Sequence, residues 1–145
     1  MEKNNVHITG CKIGKAVSVD YTNHLDSRNY NVTDDEIPHP DMRKALLDLQ
    51  EDLASAYWAM SGVVTDNFVP TGFTVTEKDG EFSITISGKM ETKHGDTVNV
   101  SSGKISLDDD PDLSVKLETL RNELYDYLFK GKSAQTKIEF KDEEK

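Results

Sequence analysis

Four histidines, one cysteine and two acidic runs are the residues of this chain best equipped for chemistry. His7, His24, His39 and His94 are scattered, and no two stand at the i, i+4 spacing of a helical metal site. His39, directly before Pro40, reads as a loop residue. Cys11 is alone and cannot form an internal disulfide. A nucleophilic cysteine needs an adjacent base, and no neighbour of Cys11 supplies one, so a core or turn thiol is expected. Asp34-Asp35-Glu36 and Asp108-Asp109-Asp110, with Asp112, place carboxylates consecutively. A calcium loop instead alternates its oxygens and adds a glycine and a distal glutamate. These runs therefore read as solvated loops that favour helix N-termini. The chain has no G-x-S-x-G, no H-E-x-x-H and no phosphate-cradling glycine loop. No catalytic residue, metal ligand set or cofactor site is expected, and the chain reads as a protein that is not an enzyme.

One further stretch has pointed chemistry. Gln135-Thr136-Lys137-Ile138-Glu139-Phe140 resembles the Gln-x-x-aliphatic-x-aromatic peptides with which bacterial proteins dock on the polymerase sliding clamp. That resemblance implies Gln135, Ile138 and Phe140 as partner-binding anchors on a flexible end. It departs from the stronger motifs because Glu139 separates the two apolar anchors. Thr136, Ile138 and Phe140 also alternate with charged residues, which is the pattern of a last strand.

The elements that carry these residues come in two similar sets. Pro40-Asp41-Met42 and the spacing of Ala45, Leu46, Leu49, Leu53, Ala56, Tyr57 and Met60 predict an amphipathic helix from Pro40 to about Gly62. Pro111-Asp112-Leu113, followed by Leu117, Leu120, Leu124, Tyr127 and Leu128, repeats the pattern, with Asp110 as N-cap and Gly131 as C′ residue. Before the first helix, Val6–Thr9, Ala16–Tyr21 and Arg28–Thr33 alternate as strands. Before the second, Phe73–Thr76, Phe82–Ser87 and Val98–Ser101 do the same, and Asp79-Gly80 marks a tight hairpin. The expected fold is α+β: an internally duplicated unit of three strands and a helix, building a six-stranded antiparallel sheet with two helices packed on one face. The same pattern also allows two three-stranded sheets around a helical middle. The halves run from about 5 to 62 and from 72 to 132. Residues 1–132 read as a single domain and residues 133–145 as a tail, either strand or flexible. Most of the helical aromatics, Tyr57, Trp58, Tyr125, Tyr127 and Phe129, read as core.

The chain has 145 residues, 35% of them hydrophobic and 30% charged, with a formal net charge of −10. Such a charge opposes phosphate backbones and anionic membrane surfaces, so neither direct nucleic-acid binding nor membrane binding is expected. It suits basic partners or mimicry of nucleic acid. Met1–Asn5 leads into an alternating strand instead of an apolar run, so no signal peptide is expected. With one cysteine, a cytoplasmic protein is expected.

His39-Pro40-Asp41-Met42, the Leu46/Leu49 spacing and Gly131-Lys132-Ser133-Ala134-Gln135 resemble small uncharacterised proteins of bacteriophages and prophages. The resemblance implies a phage context, and so the host cytoplasm, and brings no activity or catalytic residue. The expected function is a protein–protein interaction module acting on a host or phage protein of replication or defence. The alternative is an acidic DNA mimic that inhibits a nucleic-acid-binding protein.

Overall fold

The computed structural model describes residues 5–57, 64–92 and 94–133. Its strands are β1 (Val6–Ile13), β2 (Val17–Asn23), β3 (Arg28–Asp34), β4 (Phe68–Lys78), β5 (Glu81–Glu91) and β6 (Thr97–Ser106). Its helices are α1 (Pro40–Leu47), α2 (Gln50–Ser55) and α3 (Pro111–Lys130). The strands form one antiparallel sheet in the order β3-β2-β1-β4-β5-β6. The chain is thus α+β with a six-stranded open sheet. Two three-stranded sheets around a helical middle, also compatible with the sequence, are not what forms.

Strand alternation explains why the helices take one face. Ile8, Cys11, Val17, Val19, Phe68, Phe73, Ile84 and Ile86 are buried and form one core with the helix leucines. Residues directly opposite in a ladder share a face, as Cys11 and Val19 do. The helix side contributes Met42, Leu46, Leu49 and Leu53, and from α3 Leu113, Leu117, Leu120 and Leu124. The α1–α2 segment and α3 run antiparallel. Lys132 after α3 holds Asp41 at the start of α1, at 3.0 Å, and Lys116 near the start of α3 holds Asp52 of α2, at 2.9 Å.

Several local expectations hold. Asp110 Oδ1 accepts from the Leu113 N–H at 3.0 Å, capping α3. Gly131 ends that helix at φ 67°, where a side chain would be strained. Asp79 and Gly80, at φ 55° and 81°, make the tight β4–β5 hairpin.

Three expectations are corrected. The first helix is not continuous, because the Leu49 N–H bonds back three residues to Leu46 O at 3.1 Å. That tightened turn, at the poor helix former Asp48, divides it into α1 and α2 while keeping Leu49 and Leu53 in the core. Trp58, Met60 and Gly62 lie outside the described residues. The second set of strands opens at Phe68 and not at Phe73. Pro70 is accommodated because it sits beyond the β1 ladder, where its missing N–H leaves no β1 group unsatisfied. β6 does not stop at Ser101 but runs as one strand through Ser106, with Gly103 at φ 72° absorbing an irregularity in the ladder. The tail beyond Ser133, with the expected anchors Gln135, Ile138 and Phe140, lies outside the described residues.

No helix among the described residues is long and apolar enough to cross a membrane, which says nothing of a β-barrel.

Leu49 and Leu120 are both fully buried on the same side of the sheet. Truncating either to Ala removes a buried side chain and leaves a cavity, so each should cost about 2–5 kcal/mol in urea unfolding. A negligible loss at either would mean that its helix does not face this core.

Candidate functional site

The sheet is weakest at its middle. β1 and β4 pair only through Gly10–Thr74, Cys11–Phe73 and Lys12–Gly72. A bulge in each strand lies beside these pairs, at Thr9 in β1 and at Thr71 in β4. The approach is close and reciprocal. A Cβ on Gly10 would lie 2.9 Å from Phe73 O, and one on Gly72 would lie 2.1 Å from Cys11 O. Only glycine fits at Gly72. On either side of this short seam the ladder opens, and strand carbonyls lose their partners.

Each opening is filled by one polar side chain from the helix layer. Arg121 of α3 donates from Nε to Ile8 O at 2.9 Å. Gln50 of α2 donates from Nε2 to Phe68 O at 2.8 Å. Both residues stand inside an apolar stripe, between Leu49 and Leu53 and between Leu120 and Leu124. That placement was the signal that sequence reasoning passed over: a polar residue at the same step of both leucine patterns.

The Arg121 end is the richer in chemistry. Its Nη1 lies 3.9 Å from Glu118 Oε2. Its Nη2 is buried and has no hydrogen-bond partner among the described residues. The His7 ring lies 6.0 Å from that of His24 and 6.5 Å from that of Phe82. A cleft of about 260 Å³ opens here, lined by His7, His24, Arg121, Asn122 and Tyr125. A second hollow of about 290 Å³ shares His7, Glu118 and Arg121 and extends to Phe82, Leu107 and Leu117. Burial, then the Arg121 and His24 charges, hold the His7 imidazole below its ordinary range, while Glu118 and Glu77 oppose them. Burial also disfavours the Arg121 charge, which Glu118 supports.

Among the described residues nothing covers the other face of the sheet. A depression of about 590 Å³ crosses the seam there, with Lys12, Ser18, Asp20, Thr74, Ser87 and Lys89 in its lining. Asn31 Nδ2 donates to Asp20 Oδ1 at 2.7 Å and to Ser18 Oγ at 3.0 Å.

The remaining sequence candidates separate. Cys11 is buried, and burial pushes its thiol up to about 12, so it rests in the seam as a neutral core residue. His39 does more than occupy a loop: its Nδ1 accepts from the Asp41 N–H at 3.0 Å and caps α1. His94 is exposed in the β5–β6 turn. Asp34 turns inward on its own run and accepts from the Glu36 N–H at 2.8 Å. Among the described residues no three of His, Cys, Asp and Glu converge as metal ligands.

His7 carries a pH signature. Its folded pKa lies below the ordinary 6.5, so the unfolded chain binds the proton first as pH falls. The stabilisation from the neutral ring is complete above that value and is lost as pH drops through the folded pKa. His7→Gln should therefore flatten the fall of stability between about pH 7 and pH 5, the range in which histidines titrate. Equal slopes for both proteins in urea unfolding would contradict this.

No protein-family model matches the chain, and no curated protein or solved structure matches it.

Proposed function

We propose that the chain is a non-enzymatic protein-binding module, phage-encoded and acting in the host cytoplasm on a protein of replication or defence. The observation that carries this reading is the face of the six-stranded sheet that the described residues leave uncovered. Its positions are filled by short hydroxyl and amide side chains: Ser18, Thr22, Asn29, Asn31 and Thr33 on one half, Thr74, Thr85, Ser87, Asn99 and Ser101 on the other. Such side chains lose little rotamer entropy on association and hydrogen-bond adaptably. Lys12, Lys78, Lys89 and Lys104 share this face with Asp20, Glu81 and Glu91, so it is close to neutral in a chain of net charge −10. A polar, charge-balanced and shallow surface suits a protein partner better than a phosphate backbone.

We also propose that the fold arose by internal duplication. Supporting it are the reciprocal glycines Gly10 and Gly72, the bulges at Thr9 and Thr71, and the same outward strand order on both sides of the seam. Gln50 and Arg121, at the same step of the two leucine patterns, each reach a strand carbonyl beside the seam, two residues apart in this match. On the first strand this register matches Val6 to Phe68, in place of the match of Val6–Thr9 to Phe73–Thr76 that the sequence pattern suggests. A shared ancestry gives the sheet face its breadth, since a single unit of three strands cannot cover its own core.

The second reading, an acidic mimic of nucleic acid, is favoured by the placement of carboxylates away from the open face. Asp34, Asp35, Glu36, Asp41, Asp48 and Glu51 are exposed along the first helix and its approach.

One experiment separates these. Ser87→Arg and Thr74→Arg place bulk on exposed open-face positions, and Val115→Arg alters the exposed side of α3. All three should melt like the parent, since exposed substitutions cost little. In affinity capture from the native host, the two open-face variants should lose the partner and the α3 variant should keep it. Retention by both open-face variants, with loss in an Asp48→Lys/Glu51→Lys variant of the exposed acidic run, would favour the mimic. Salt-sensitive binding of DNA by the parent in a mobility shift would reject both readings.

A further inference from the structure

We propose that the cleft between α3 and the start of β1 binds a carboxylate borne on a short apolar group, with Arg121 Nη2 as the donor. The site is distinct from the open face and does not depend on the partner reading above. Its starting point is an unused donor. Arg121 is committed through Nε to Ile8 O, and the geometry of the guanidinium then fixes where Nη2 points. Nη2 is buried and lacks an acceptor among the described residues. A buried donor left unmatched is costly, and more so on a charged group. Nη2 has almost no exposed surface, so an acceptor delivered by a ligand would remove that cost as the cleft side chains part to admit it.

The surroundings narrow the ligand. His7 and His24 stand on the same cleft of about 260 Å³, with Asn122 as a further amide. A neutral imidazole still offers an N–H to a carboxylate, and it adds a charge when protonated. Glu118 remains 3.9 Å from Nη1 and is largely exposed. Its charge, within a chain of net −10, selects against a dianion such as phosphate. The adjoining hollow of about 290 Å³ brings Phe82, Leu107 and Leu117 next to the same arginine. Phe82 is 36% exposed there, so an apolar group has surface to cover. A monoanion joined to an apolar group matches both lobes. Free short-chain acids and the C-terminus of a peptide share that chemistry.

The groups that face His7 from every packed element are Arg121 and Glu118 of α3, His24 after β2 and Glu77 of β4. A bound carboxylate would oppose the repulsion that Arg121 and His24 exert on the protonated ring. Binding should therefore tighten as pH falls from about 8 to about 6, across the ordinary imidazole range.

The test is titration of the full chain with hexanoate, N-acetylleucine and N-acetylleucinamide, followed by amide and side-chain NMR. Both acids should give saturable shifts at His7, Arg121 and Asn122, tighter at the lower pH, and the uncharged amide should give none there. Tighter binding of N-acetylleucine points to a peptide terminus, and tighter binding of hexanoate to a free acid. Arg121→Gln keeps a side-chain donor of the kind Gln50 provides at the matching opening, and should weaken both acids about tenfold or more, the worth of one charge-assisted hydrogen bond. Glu118→Gln should bind at least as tightly as the parent. If Arg121→Gln fails to fold, a His7→Ala/His24→Ala variant must weaken both acids. Binding of the amide equal to that of the acids, no shift with either acid, or unchanged affinity in the folded variant would overturn the site.

Discussion

Three residue pairs join the two halves of this sheet. Cys11–Phe73 stands at the centre, with Gly10–Thr74 and Lys12–Gly72 beside it, and the two glycines pack against the carbonyls of Phe73 and Cys11. So short a ladder leaves backbone carbonyls on both sides without sheet partners, under a layer of leucines that excludes water. Unmatched buried carbonyls are not tolerated in number, and the helices supply the remedy. Arg121 reaches Ile8 O and Gln50 reaches Phe68 O. The helices are thus more than an apolar cover. They hold the two half-sheets together at the places where the backbone cannot.

This constraint sets the character of both faces. On the covered side, the α1–α2 segment and α3 must lie over the seam for their polar residues to reach it. The pairs Asp41–Lys132 and Asp52–Lys116 tie them together there. Such partly exposed ion pairs contribute modestly, and most of the stability comes from the leucines and strand residues between the two layers. Gly88 belongs to the same packing: a Cβ there would fall 2.6 Å from a Leu53 methyl. On the uncovered side nothing demands an apolar residue, and the strands present hydroxyls, amides and a near balance of charge. The surface proposed for a partner is what remains once the core and the seam have taken their residues.

Much of this architecture was legible in the residues. The leucine spacing of both helices, the Asp110 and Gly131 caps and the Asp79-Gly80 hairpin rest on local rules, and the structure follows them. The errors arose where tertiary contacts outrank local preference. The alternation points to a strand from Phe73, yet it opens at Phe68, with Pro70 beyond the β1 ladder and Gly72 held in a close strand approach. Asp48 sits inside an apolar pattern that promised one helix, and the break there shows only in hydrogen bonding. The candidate cleft was invisible for a related reason. His7, His24 and Arg121 are far apart in sequence, and the opening that unites them exists only because the β1–β4 ladder is short. The anchors Gln135, Ile138 and Phe140 belong to a segment outside the described residues.

The account rests most directly on Arg121 as a side chain inserted into the sheet. NMR detection of its Nε–H tests this without a ligand or partner. A hydrogen bond to Ile8 O at 2.9 Å, on a largely buried guanidinium, predicts a sharp Nε–H signal that exchanges with solvent far more slowly than those of exposed arginines. It also predicts contacts from that proton to Ile8 and Thr9. An Nε–H exchanging at the rate of an exposed arginine, with no contact to β1, would contradict the account: the seam would then be closed by some other means, and the cleft beside it would lack its donor.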